Sequence, residues 1–284
     1  MKLIRTHEYL LPILAAVFFS TLLLPSASYA QGNLLLTPKR LVFNGGRTSE
    51  NINLANSGKD TAHYVISMIN FRMTENGGFE EVSEAEMGGF SAEPHIRFFP
   101  RQVTLAPNEA QVIRVQYSRN AQLNPGEYRS HLYVRALSKP TPLGTKGAEV
   151  SSSIEVKLTP VFGITIPVII RIGESNTTAS ISGLSLTKTE DAASSTLHMT
   201  LNRNGNMSIY GDITVKHITP NGQVTQVGLV KGLAVYTPNL LRNIEFVLEN
   251  NPQVDYHTGK LAVQFITNAG AKDQKTVSAE LLLH

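Results

Sequence analysis

The 284-residue chain contains no cysteine. Disulfide-stapled folds and thiolate chemistry, nucleophilic or metal-binding, are excluded. It also contains no tryptophan, and aromatic residues are only 7% of the total, so a sugar-binding cleft of stacked rings is poorly provided for. Charged residues make up 17% and nearly cancel, leaving a formal net charge of +3. No basic clustering of the kind that tracks a nucleic-acid backbone is present. Phosphate loops and G-x-S-x-G nucleophile elbows are missing. The eight histidines are scattered, without metal-ligand spacing. No enzyme, metal centre or cofactor is expected.

One long apolar run does occur, at the start. MKLIRTHEYLLPILAAVFFSTLLLPSASYA places Lys2 and Arg5 ahead of an apolar stretch over 10–24, and Ser28-Tyr29-Ala30 after it. A positive start, an apolar middle and small residues at the last positions are the marks of a cleavable signal peptide. The stretch falls short of the ~20 residues of a spanning helix and carries Pro12. Residues 1–30 are assigned to the signal, with cleavage after Ala30, so the membrane is touched only through that segment. Loss of Lys2, Arg5 and Glu8 takes the net charge from +3 to +2. A cysteine-free mature chain of this length fits a bacterial periplasm.

Beyond residue 30 helical periodicity is scarce. Short alternating runs recur instead, separated by turn residues. SENINLANSGK alternates Ile52 and Leu54. AHYVISMINFRM alternates Tyr64, Ile66 and Met68 and runs to the turn Asn76-Gly77-Gly78. GEYRSHLYVRAL sets Leu132 and Val134 against Tyr133 and Arg135. Glu127 and Arg129 in that run read as solvent-exposed charges of little energetic worth. A polar break over 172–180 divides two sets of about seven strands each, which predicts an all-β chain of two immunoglobulin-like sandwiches. The domains are expected at 31–172 and 173–284. In the second, LNRNGNMSIYGD reads as turn chemistry.

The stretch SSSIEVKLTPVFGITIPVIIR, residues 151–171, is apolar on alternate positions yet holds Pro160 and Pro167. Proline is confined to edge strands and bulges, because it removes a ladder N–H. An apolar edge left bare is an aggregation hazard. The stretch is expected to be an edge strand that exists to be paired with another chain; an ordinary core strand is the plain alternative.

At this point the residues resemble a known family. LTPKRLVFNGGRTSENINLANSGKDTAHYVISMIN, FFPRQVTLAPNEAQVIRV and GEYRSHLYVRAL resemble the first domain of the PapD-like periplasmic chaperones of the chaperone–usher pilus pathway, over roughly 34–172. The second domain resembles them by position and β content. The resemblance implies two sandwiches set at an angle, like a boomerang. It implies a chaperone that completes the unfinished fold of pilus or fimbrial subunits with its own strand, then delivers them to an outer-membrane usher. It implies Arg40 as the anchor for the subunit's C-terminal carboxylate, and Ile154, Val156 and Leu158, with Ile164 and Ile166 further along, as donor-strand contacts. The family's second anchoring cation, a lysine on the donor strand, has no counterpart: Gly163 or Pro167 stands there, depending on register. Lys157 alternates to the wrong face. These departures place the chain in a divergent or archaic-type branch. The rival class is a structural or adhesive surface subunit built from similar sandwiches. Such a subunit needs its own donor extension, and QGNLLLTPKR runs straight into the first strand.

Overall fold

The computed structural model describes residues 34–118, 123–137, 162–188, 195–267 and 275–283. They fold almost entirely as strands, in two sandwiches. The first uses β1 (Leu34–Thr37), β2 (Leu41–Phe43), β3 (Ser49–Asn56), β4 (Ala62–Ile69), β5 (Phe71–Met73), β6 (Phe79–Glu81), β7 (Ile96–Phe99), β8 (Gln102–Leu105), β9 (Ala110–Tyr117), β10 (Gly126–Ala136) and β11 (Gly163–Ile172). One sheet has the order β1-β3-β9-β7 and the facing sheet β2-β11-β10-β4-β8. This is immunoglobulin topology, with the first strand divided between the sheets. Between them lies one apolar core that includes Leu36, Ile52, Leu54, Ile66, Ile113, Leu132, Val134 and Val168.

Period-two burial explains most of these strands, since apolar residues on alternate positions gain roughly 1.5–3 kcal/mol each on full burial. Two side chains fix the turns. Asn56 is buried; its Nδ2 donates to the carbonyls of Asp60, Leu105 and Ala106, and its Oδ1 accepts from Gly58 N–H. Tyr128 Oη donates to Asn124 O at 3.1 Å, the tyrosine-corner contact of immunoglobulin-like sandwiches.

AHYVISMINFRM is not one strand. β4 ends at Ile69, and the chain breaks at buried Asn70. Asn70 Oδ1 accepts from Ser130 Oγ at 2.7 Å and from Ser91 Oγ at 3.1 Å, and its Nδ2 donates to Glu93. The chain continues as the separate hairpin β5–β6, whose turn reaches the second sandwich through Asn243 N–H donating to Glu75 O at 2.7 Å.

The second sandwich comprises β12 (Thr178–Lys188), β13 (Ser195–Asn204), β14 (Ile209–Ile218), β15 (Val224–Val235), β16 (Leu241–Val247), β17 (Lys260–Thr267) and β18 (Thr276–Leu282). Its sheets run β12-β13-β16 and β15-β14-β17-β18. Leu197, Leu201, Ile213, Val215, Val263 and Phe265 lie in its core. Between the two sandwiches is a smaller apolar cluster of Met73, Ile169, Ala234 and Tyr236.

Candidate functional site: the cleft between the sandwiches

β10 breaks the alternation, because its first residues are buried on both faces. Tyr128, Leu132 and Val134 enter the first core. Glu127, Arg129 and His131, on the other face, are covered by the second sandwich and the β5–β6 hairpin and are each no more than 3% exposed. The antiparallel register with β11 sets Glu127 opposite Arg171, Arg129 opposite Ile169 and His131 opposite Pro167. Glu127 and Arg129 are thus not the exposed charges that sequence alternation suggests.

Glu127 ties the sandwiches together. Its Oε2 accepts from Arg171 Nε at 3.0 Å, Ser208 N–H at 3.1 Å and Ser208 Oγ at 2.7 Å. Arg171 Nη2 in turn donates to Ser208 O at 3.0 Å. The LNRNGNMSIYGD segment is therefore both a turn and a contact with the first domain. Arg129 Nη2 donates to Phe71 O, its guanidinium lies 4.2 Å from the Tyr236 ring centre, and its Nε and Nη1 have no hydrogen-bond partner.

Arg40 occupies the chain crossing between β1 and β2, immediately before the latter pairs with β11. Its guanidinium sits 4.3 Å from the ring centre of Tyr210 and 5.9 Å from that of Tyr236, both on the second sandwich. Its Nε is buried with no hydrogen-bond partner. Desolvation by burial lowers the Arg40 pKa most, and neighbouring Arg171 lowers it further, whereas Tyr236 and Glu127 oppose the shift. A half-buried guanidinium of this kind gains from an added anionic acceptor. It lines a cavity of about 590 Å³ shared with Lys39, His131, Pro167, Lys231 and Arg242. Among the described residues Asp212 is the one carboxylate on that wall, and its Oδ1 accepts from Gly232 N–H at 2.8 Å.

His131 stacks edge-on with Phe71 and Phe79, at 5.2 and 5.7 Å between ring centres. Burial, with Arg129 as a smaller cause, lowers its pKa from 6.5 to about 3. It is neutral in the folded protein at physiological pH. Below pH ~6.5 the unfolded chain takes up a proton that the folded one refuses, so stability is lost as pH falls from there towards about 3. Between pH 8 and pH 5 this residue alone should remove roughly 2 kcal/mol. Urea unfolding at the two pH values measures it: His131→Gln should lack that component, and an unchanged pH dependence in the variant would contradict the assignment.

The donor-strand expectations divide. Ile154, Val156 and Leu158 lie outside the described residues. Ile166 is only 2% exposed, in the first core, and Ile164 packs partly against that core. They share a face with Val168 and Ile170, so strand alternation commits them to their own sandwich and not to a partner's groove. Among the described residues the edge itself is open beyond its short pairing with β2. β2 pairs with β11 only from Val168 to Ile170. From Gly163 to Pro167, β11 has β10 on one side and no paired strand on the other among the described residues. Phe162, immediately before β11, is 48% exposed, and Leu137, just after the paired β10, is 43% exposed.

The chain is similar to solved bacterial chaperones. One is the CsuC–CsuE chaperone–tip adhesion subunit pre-assembly complex from archaic chaperone–usher Csu pili of Acinetobacter baumannii, with 12% identity, TM-score 0.42, and coverage of 87% of this chain and 98% of that one. Others are the CupB2 chaperone of Pseudomonas aeruginosa (12%, TM-score 0.40, 87% and 100%) and the E. coli chaperone DraB (12%, TM-score 0.40, 87% and 96%). No protein-family model and no curated protein sequence matches the chain.

The sequence singles out Arg40, which lines this cavity, and leaves unmarked the wall facing it. Tyr210, Lys231, Tyr236 and Arg242 belong to strands of the second domain or their ends, and strand periodicity does not mark which of them meet another domain. A local signal is Gly232, one of the glycines inside the strand patterns of this domain, which points to a bulge or a close approach.

Proposed function

We propose that the chain is a periplasmic chaperone that holds pilus or fimbrial subunits by strand donation until an outer-membrane usher receives them. The observation that carries this reading is the course of the open edge. The unpaired stretch of β11 ends at Pro167, which itself lines the Arg40 cavity. A strand added along Gly163–Pro167 would be led to a half-buried arginine whose Nε lacks a partner. An added strand gains main-chain hydrogen bonds from the edge, and a chain end arriving there brings a carboxylate that suits the guanidinium fork. Exposed Phe162, at the start of the edge, supplies apolar surface to the same encounter. The residue resemblance of 34–172 to the PapD-like chaperones and the pilus-chaperone complex among the similar structures agree with it. Donor contacts would come from Ile154, Val156 and Leu158, upstream of the described edge.

The test is co-expression, in a bacterial periplasm, with fimbrial subunits encoded beside this chain. The expected result is a soluble one-to-one complex that survives size-exclusion chromatography. Subunits that aggregate equally with and without the chain would overturn the proposal.

A further inference from the structure

A second cation beside Arg40 would strengthen the hold on a carboxylate, and β11 supplies none to the cavity wall: Pro167 there carries no charge, and Arg171 is taken up by Glu127 and Ser208. Among the described residues, three other cations line the same cavity: Lys39, Lys231 and Arg242. Arg242, whose Nε also lacks a hydrogen-bond partner, is tightly enclosed. Its Nη1 donates to Ala234 O at 3.1 Å, and its guanidinium fills the space where Gly77 would carry a Cβ. Lys39 is exposed and directly precedes Arg40 on an irregular stretch between two short strands, with no side chain seen to hold it. Lys231 is held differently.

In the β14–β15 ladder, Gly211 pairs with Leu233 and Ile213 with Val230, so Lys231 and Gly232 together oppose Asp212 alone. This is a bulge, the device by which a strand re-aims a side chain beside a site. Two contacts fix it. Asp212 Oδ1 accepts from Gly232 N–H at 2.8 Å. Gly232, with φ of +71°, fits so closely against Tyr210 that an added Cβ would lie 3.0 Å from the tyrosine Oη. Tyr210 is the ring on which the Arg40 guanidinium rests. One aromatic side chain therefore bears Arg40 on its face and meets the Lys231 bulge at its hydroxyl, and both cations open on the same cavity.

We infer that Lys231 is the second cation of the carboxylate site, so that a bound chain end bridges the two domains: Arg40 from the first, Lys231 from the second. This rests on the strand-donation reading above and departs from a site whose cations all belong to one sandwich. It also gives the Lys231–Gly232 bulge a role beyond strand geometry.

The experiment uses the full chain, the subunit captured by co-expression and a synthetic peptide copying that subunit's C-terminal strand, prepared as the free acid and as the amide. Fluorescence anisotropy reads both affinities. The unaltered chain should prefer the acid. Lys231→Ala should cut that preference by about tenfold, the scale of one desolvated charge contact, and Lys231→Arg should restore most of it. Gly232→Val keeps the charge but cannot hold the bulge's positive φ, and should lose the preference too. Lys231 is exposed, so thermal midpoints of the lysine variants should match the parent. Lys231→Ala with an unchanged acid preference, beside an Arg40→Ala variant that loses it, would overturn the inference and leave strand donation standing. A parent chain that binds acid and amide equally, or captures no subunit, would overturn the carboxylate site and this inference with it.

Discussion

Glu127→Ala is expected to lower the unfolding free energy by about 3–5 kcal/mol, the cost of stripping one partner from a buried ion pair. Glu127 is 2% exposed and accepts from Arg171 and from both the N–H and the hydroxyl of Ser208. Its charge also supports Arg40 and Arg129, because in each it opposes the lowering of pKa by burial. Alanine would leave these guanidiniums crowded between two domains with their shared counter-ion gone. Glu127→Gln keeps the size and one acceptor oxygen, so its loss should fall between the parent and the alanine variant. Urea unfolding followed by tyrosine fluorescence measures both. An alanine variant with the parent's midpoint and slope would show that the domains are not held by this group.

Arg40→Ala should act on binding more than on folding. Its Nε has no partner, and burial already opposes its charge, so removing it relieves desolvation as well as deleting the stack on Tyr210. In the subunit complex the balance reverses. Truncating one member of a hydrogen-bonded charge pair costs about 2–5 kcal/mol, which at the lower bound is roughly 30-fold in affinity, expressed mainly as faster dissociation. Arg40→Lys supplies a point charge in place of a planar fork and should recover only part of the loss. Dissociation rates of immobilised subunit complexes check this. Parent-like rates for Arg40→Ala would remove Arg40 from the site.

How far the sequence carried this account depends on what each element packs against. β13 and β14 bury every second residue along nearly their whole length, so alternation is legible in them, although 201–212, read as turn chemistry, supplies the end of one and the start of the other. Leu132 and Val134 were legible for the same reason. Glu127 and Arg129, two positions apart on the other face of that strand, were not. Period two separates the faces of a sheet but cannot tell a face covered by another domain from one covered by water. Asn70 ended β4 through contacts with Ser91, Ser130 and Glu93, far along the chain. Ile164 and Ile166 looked available for a partner because their strand is an edge. Being an edge concerns backbone pairing, however, while their side chains still face the core. Arg40 was legible through the residues around it. The second-domain wall was not, because Tyr210 and Lys231 carry no motif and gain their meaning only from the strand opposite.

The most direct test of the strand-donation account is amide hydrogen exchange across Gly163, Ile164, Thr165 and Ile166, in the free chain and in the purified subunit complex. Amides on this edge that lack a partner strand should slow by at least about tenfold once the subunit is bound, as they enter a new ladder. A stable, soluble complex in which these amides exchange as in the free chain would contradict it.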